Sequence, residues 1–344
     1  MRALLRTLSL VVLGLILGLA LTAFAGESPF HVFATLFRGA FGSRYDLGMT
    51  LFYSTPLMLT GLSVAFALRA GLFNVGAEGQ LAVGALAMTL VGIALPDAPA
   101  FVAIPLGLAA GFLGGAFWGG FAGWLKSTRG SHEVITTIML NFIAASLVNF
   151  VILSGVKNPA TQNPESLDIG PGYRLTAWSW FDQAPVGPAL MIAVFSALVC
   201  AFVFSKTVLG FDLRTVGDSP RAAQVAGIRV GRTQVIAMAI AGGIAGLVCA
   251  PEVMGGVHRY RLGFSADFGF MGIAVALLAR GNPLGIVLSA LFFGALHKGA
   301  TELDLETQAI TREFALVLQA IVILAACSDG VFDRLSKWTL RRVG

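Results

Sequence analysis

The stretch Gly71-Leu72-Phe73-Asn74-Val75-Gly76-Ala77-Glu78-Gly79-Gln80 sets three polar side chains among glycines at the head of an apolar run. A carboxylate and two carboxamides in such a place can hydrogen-bond a solute that has left water, and glycine lets the backbone open beside them. Asn74, Glu78 and Gln80 are therefore candidate solute contacts. The competing reading keeps Glu78 at headgroup depth and has Gln80 cap a neighbouring helix. A second polar cluster runs from Ser131-His132-Glu133 through Thr136 and Thr137 to Asn141. Ser131 is placed to cap a helix N-terminus and Glu133 to meet its dipole. Asn141 lies about two turns deeper and needs a partner.

Reactive constellations are absent from the sequence. It has no G-x-x-x-x-G-K-[ST] phosphate loop, no H-E-x-x-H and no G-x-S-x-G elbow. His31, His132, His258 and His297 are scattered, which argues against a metal-dependent enzyme. Cys200, Cys249 and Cys327 sit in apolar runs without metal-ligand or C-x-x-C spacing, as buried free thiols do. No row of embedded acids or arginines offers a proton or ion relay.

The elements that hold the polar clusters must be membrane helices. Of 344 residues, 56% are apolar and 12% charged, and the mean hydropathy is +0.83. That is about half the charge of a soluble domain. The 42 glycines suit closely packed transmembrane helices. The net charge of +5 comes without basic runs interleaved with aromatics, so nucleic acid is not the partner. A span needs about 20 apolar residues. Candidates run near residues 8–25, 50–68, 72–95, 100–125, 134–154, 187–205, 233–251, 264–280, 283–299 and 313–328. The N-terminal Arg2, Arg6 and Ala23-Phe24-Ala25 resemble a cleavable leader, but the apolar run is long enough to favour an uncleaved first span. With both termini inside, 15 of the 23 Lys and Arg residues fall on the cytoplasmic side and 8 outside, in accord with the positive-inside rule.

Three segments lie outside the spans. Residues 28–41 carry Ser28-Pro29 and then Phe30, Phe33, Phe37 and Phe41, which predict a short interfacial helix or an outward extension of the first span. Residues 155–186 form the longest outer loop, with Trp178 and Trp180 as headgroup anchors. Between Lys206 and Arg232, Asp218-Ser219-Pro220 starts a two-turn helix that Gly227 stops. The pattern predicts that Arg221 and Gln224 are exposed and that Ala222, Val225 and Ala226 are buried. So short a helix needs a surface to lie on: its own bundle or a cytoplasmic partner. A faint repeat aligns Gly71 with Gly263 and Leu81–Ala87 with Ile273–Ala279, in spans of opposite direction. Glycine-interrupted spans at matching places of inverted halves point to a transport site.

The stretches GLFNVGAEGQ (71–80), GSHEVITTIMLN (130–141), GFDLRTVGDSPRAAQVAGI (210–228) and GNPLG (281–285) resemble the permease subunits of bacterial ABC importers for nucleosides and simple sugars, related to the ribose and branched-chain amino-acid permeases. The likeness runs from about residue 48 to 330, and the HEVI-x-T-I-M-L-N stretch looks most like the longer permease of nucleoside-type systems. It implies a single permease domain over 1–344, an all-α polytopic membrane helix bundle of about ten transmembrane helices with inverted repeats. It also implies a multi-pass protein of the bacterial inner membrane with both termini cytoplasmic. The implied partners are a cytoplasmic ABC ATPase that uses the ATP, a second permease in a heterodimer, an extracytoplasmic solute-binding protein and membrane lipid. The chain itself would hold no cofactor and no metal, and would not be an enzyme. The resemblance makes Arg214, Gly217, Asp218, Arg221, Ala222, Ala223 and Gly227 the ATPase-coupling segment. Alternating access would then move a neutral hydroxylated solute, a nucleoside first, past Asn74, Glu78, Gln80 and Asn141. The alternatives are a simple-sugar permease and an ion-coupled secondary transporter.

Overall fold

A computed structural model describes residues 2–23, 26–265, 267–306 and 314–327. Phe24 and Ala25 of the leader-like stretch, and the basic residues Arg312, Arg334, Lys337, Arg341 and Arg342, lie outside the described residues. Each expected span has a helix: α1 (Arg2–Thr22), α3 (Arg44–Arg69), α4 (Ala77–Ala94), α5 (Ala100–Arg129), α6 (Glu133–Gly155), α7 (Pro188–Lys206), α10 (Val230–Gly246), α11 (Phe268–Leu278), α12 (Pro283–Glu306) and α13 (Phe314–Cys327). Seven helical segments among the described residues are long and apolar enough to cross a membrane, α10 being continued to Val257 by a π-helical segment, Ala250–Val257. The remaining helices are α2 (Pro29–Phe41), α8 (Val208–Asp218) and α9 (Pro220–Val225). The chain is an all-α polytopic membrane bundle.

The bundle is built around α3, which is buried continuously from Ser54 to Ala67. Three of its hydroxyls are silenced locally: Ser54, Thr55 and Thr60 each donate to the carbonyl four residues back, so they cost little in an apolar setting. Glycine governs the tightest helix pair. On α5, Gly111, Gly115 and Gly119 recur every four residues and face Gly242 and Gly246 of α10. A Cβ on Gly115 would collide with the Gly242 carbonyl, and one on Gly246 with the Gly111 carbonyl. Close backbone approach of this kind drives helix association in lipid, where burying apolar surface gains nothing.

The predicted helix at 28–41 exists as α2, a separate helix with Ser28 at its N-cap and Pro29 first. Phe30 and Phe37 are well exposed, and Phe37 packs on Phe33 and Phe41. The long loop is not a loose cover. Ser166 and Ile169 donate backbone N–H bonds to the carbonyls of Tyr260 and His258, and Leu175 does so to Met254. The buried Glu165 carboxylate pairs with Arg259 at 2.8 Å and with Arg261 at 3.4 Å. Residues 156–175 are thereby stitched to the end of the π-helical segment.

Two spans start part-way through the bundle. After α3 the chain turns at Gly71, with φ +70°, and runs without helix to Ala77. After the π segment it turns at Gly263, with φ +79°, and becomes helical at Phe268. The two aligned glycines thus share the left-handed conformation that glycine adopts without strain. With 11 residues, α11 is about 16 Å long, half of a hydrocarbon core of about 30 Å.

Candidate functional site

The irregular segment 71–76 exists because its backbone groups are satisfied from outside it. Asn74 and Gln80 form a reciprocal amide pair: Asn74 Nδ2 donates to Gln80 Oε1 at 2.8 Å and Gln80 Nε2 donates to Asn74 Oδ1 at 2.9 Å. Asn74 also donates to Ser63 Oγ on α3 and accepts from the Gly76 N–H. Both side chains are buried. Asn141 reaches across from α6, giving its Nδ2 to the Val75 carbonyl at 3.0 Å and receiving the Gly79 N–H at 2.9 Å. An open backbone is tolerated at membrane depth only with such partners.

Glu78 looks the other way. Its Oε2 accepts the N–H of Gly269 at 2.7 Å, in the first turn of α11. Gly269 lies so close that a Cβ there would strike the backbone of Glu78. The N-termini of α4 and α11 therefore meet inside the bundle with one carboxylate between their positive ends. Glu78 and Asn141 keep partial exposure, whereas the amides of Asn74 and Gln80 are spent on each other. The four residues tie spans three, five and eight into one polar knot.

The capping reading of Ser131 is corrected. His132, not Ser131, occupies the N-cap of α6, and its side chain makes no cap bond. Ser131 Oγ is buried without a hydrogen-bond partner. Glu133 stands in the first turn as expected and pairs with Lys126 of α5 at 2.8 Å.

At the end of the bundle where α3 and α11 finish, the segment 206–232 is mostly helical. Thr207 caps α8 by accepting the Gly210 N–H, a start signal that the sequence reading passed over. Ser219 caps α9 by accepting the Ala222 N–H, Pro220 follows, and Gly227 turns the chain at φ +81°. The buried face of α9 differs from expectation. Only Ala223 is buried; Ala222, Val225 and Ala226 are exposed along with Arg221 and Gln224, and Val225 is 92% exposed. Six residues make fewer than two turns, so a single small side chain can touch the bundle while the rest faces out. Arg214 donates to the Phe204 carbonyl at 2.9 Å, holding α8 on the end of α7, and Asp218 is exposed. Gly217 meets Gly71 backbone to backbone: a Cβ on Gly217 would collide with the Arg69 carbonyl.

Among the described residues no group of His, Cys, Asp and Glu is arranged to hold a metal ion. The sequence gives no role to an acid on the π-helical segment. Glu252 sits in the π-helical segment, one residue past the span expected to end at 251. Pro251 before it and Gly255-Gly256 after it, inside an otherwise apolar run, were the available signal.

Residues 47–327 match the family described as branched-chain amino acid transport system / permease component, and the chain belongs to that family. It is 36% identical over 325 residues to the guanosine ABC transporter permease protein NupP of Bacillus subtilis, covering 93% of this chain and 92% of that one. It is 36% identical over 321 residues to the nucleoside ABC transporter permease protein NupB of Lactococcus lactis, covering 91% and 87%. A glucose ABC transporter permease protein of Haloferax volcanii is 31% identical over 325 residues, covering 92% and 85%.

Proposed function

We propose that this chain is the membrane permease subunit of an ABC importer for nucleosides, a single domain over residues 1–344 in the bacterial inner membrane with both termini cytoplasmic. The observation that carries the reading is near-full-length similarity to a guanosine permease and a nucleoside permease. The glucose permease supports the sugar alternative less well, at lower identity. An ion-coupled transporter is the remaining alternative.

In this reading ATP is bound and hydrolysed by a cytoplasmic ABC ATPase, and the chain needs no cofactor of its own. A second permease completes a heterodimer, and an extracytoplasmic solute-binding protein delivers the nucleoside. The exposed face of α9, with Arg221, Ala222, Val225 and Gly227, is where the ATPase docks, while Ala223 roots it to the bundle. Arg214, Gly217 and Asp218 relay its movement. The polar knot of Asn74, Glu78, Gln80 and Asn141 walls the pathway. Glu78, being partly exposed, makes the direct solute contact, and the Asn74–Gln80 pair holds the opened backbone in place. Movement of α9 shifts the bundle between outward-facing and inward-facing states.

The test is uptake of a labelled nucleoside by cells that express the chain with its neighbouring ATPase, permease and binding-protein genes. Uptake that stops with vanadate and survives an ionophore supports the reading. The opposite pattern overturns it in favour of an ion-coupled transporter.

A further inference from the structure

A buried carboxylate oxygen outside the polar knot lies on the π-helical segment. Glu252 Oε1 is buried and has no hydrogen-bond partner. Long π-helical segments are rare, cost hydrogen-bond geometry and concentrate at functional sites, and this one has eight residues, Ala250–Val257, with Pro251 at its start. An unpaired buried carboxylate oxygen is expensive to keep, and this one is open to a partner from outside the chain.

Aromatic side chains stand near the segment. The segment packs against α3, where the Phe52 ring stands 3.8 Å from the position a Gly256 Cβ would take. The Tyr53 phenol, next in sequence, lies within electrostatic reach of Glu252. Tyr53 packs edge-on against the His297 ring of α12, with centroids 4.5 Å apart, and Phe52 and Tyr53 are themselves 5.7 Å apart. The group is open on one side: His297 is exposed, and Phe52, Tyr53 and Glu252 are partly so. Pro56 also lies one turn below on α3. It has no N–H to give the Phe52 carbonyl, which adds a backbone acceptor on the same turn. Acceptors beside flat rings are the combination that recognises a solute with vicinal hydroxyls at one end and a planar ring at the other.

We infer that Glu252, with the Phe52–Tyr53 turn, forms a solute-binding subsite that accepts hydrogen bonds from the sugar hydroxyls of a nucleoside in transit. The inference rests on the transport function proposed above. It assigns to this subsite a selectivity separate from that of the binding protein.

The experiment uses the complete importer with its native binding protein in cells, and reads the rate of uptake of a ribonucleoside relative to its 2′,3′-dideoxy analogue. Because every variant shares one binding protein, the change in this ratio reports the permease alone. Glu252→Gln keeps the shape and weakens the acceptor, and is expected to cut the ratio at least tenfold at unchanged membrane abundance. An unchanged ratio, or equal loss of both substrates, overturns the assignment. If Glu252→Gln does not reach the membrane, Tyr53→Phe decides: a lowered ratio supports the subsite and an unaltered one removes it. If the wild-type importer carries a sugar and no nucleoside, the proposed function fails. The same ratio measured with that sugar and its deoxy analogue then still decides the role of Glu252.

Discussion

At the scale of single residues, the distinction that matters is between polar groups saturated within the protein and those left open. Gln80 and Asn74 satisfy each other in a buried place. Gln80→Ala therefore removes two of the hydrogen bonds of the buried Asn74 amide, leaving it only Ser63 and the Gly76 N–H, a loss of about 1–3 kcal/mol, and is expected to lower the thermal stability of the complex together with uptake. Asn141→Ala frees the Val75 carbonyl and the Gly79 N–H, so it should reduce uptake through the same re-entrant backbone. Uptake unchanged by both substitutions at normal expression would remove the knot from the pathway. All four residues of the knot stand out in the sequence, because polar side chains in apolar runs are costly and visible. Which way each points could not be read there, since the amide pair depends on the excursion of residues 71–76 away from α3. Glu165 allows a pH experiment outside the membrane. Burial alone would raise its carboxyl, but hydrogen bonds from Arg259 and Thr161 and the charges of Arg259 and Arg261 prevail and hold it below the ordinary glutamate range. A depressed folded-state value stabilises the folded loop fully above the unfolded value of about 4.3, and that stabilisation disappears as pH falls through the folded value. Protease resistance of the 156–175 loop should accordingly drop on acidification below about pH 4.3 in the wild type. In Glu165→Gln it should be low at neutral pH and flat across the same range.

Among the elements, α9 shows how far a local signal carries. Ser219, Pro220 and Gly227 predict its start and stop, because caps are set by neighbouring residues. Its buried face depends on what the helix lies against, and there the pattern failed: Val225 is exposed and Ala223 is covered. The difference separates two substitutions that otherwise look equivalent. Ala223→Glu forces a charge into the contact that roots α9, and should lower both abundance and uptake. Arg221→Glu changes only the exposed face, so abundance should stay normal while ATPase co-purification or coupling is lost. Full transport with normal co-purification by Arg221→Glu would rule out docking there. The broken spans behaved differently. The break before each was legible from the glycines and polar residues near 71 and 263, and only α11 is short. The meeting of the N-termini of α4 and α11 was not, because it joins residues 191 positions apart through one backbone N–H.

For the molecule as a whole, the proposed function requires the end that carries α8 and α9 to be joined mechanically to the polar knot, and the structure offers a short route. Gly217, at the end of α8, touches Gly71, and Gly71 begins the segment that leads through Asn74 and Glu78 into α4. No side chain intervenes, so in the proposed mechanism a displacement of α8 and α9 would pass directly into residues 71–76, which have no helix of their own to absorb it. Arg214, bonded to the Phe204 carbonyl, ties α8 to the end of α7. Close-packed contacts transmit small shifts because they cannot compress. A Cβ on Gly217 would collide with the Arg69 carbonyl, and Gly217→Val should therefore pry the contact apart. The expected phenotype is specific: the ATPase still co-purifies and hydrolyses ATP, because the exposed face of α9 is intact, but uptake falls at least tenfold. Loss of ATPase binding in Gly217→Val would instead place this glycine in the docking surface, and normal uptake would show that force reaches the pathway by another route.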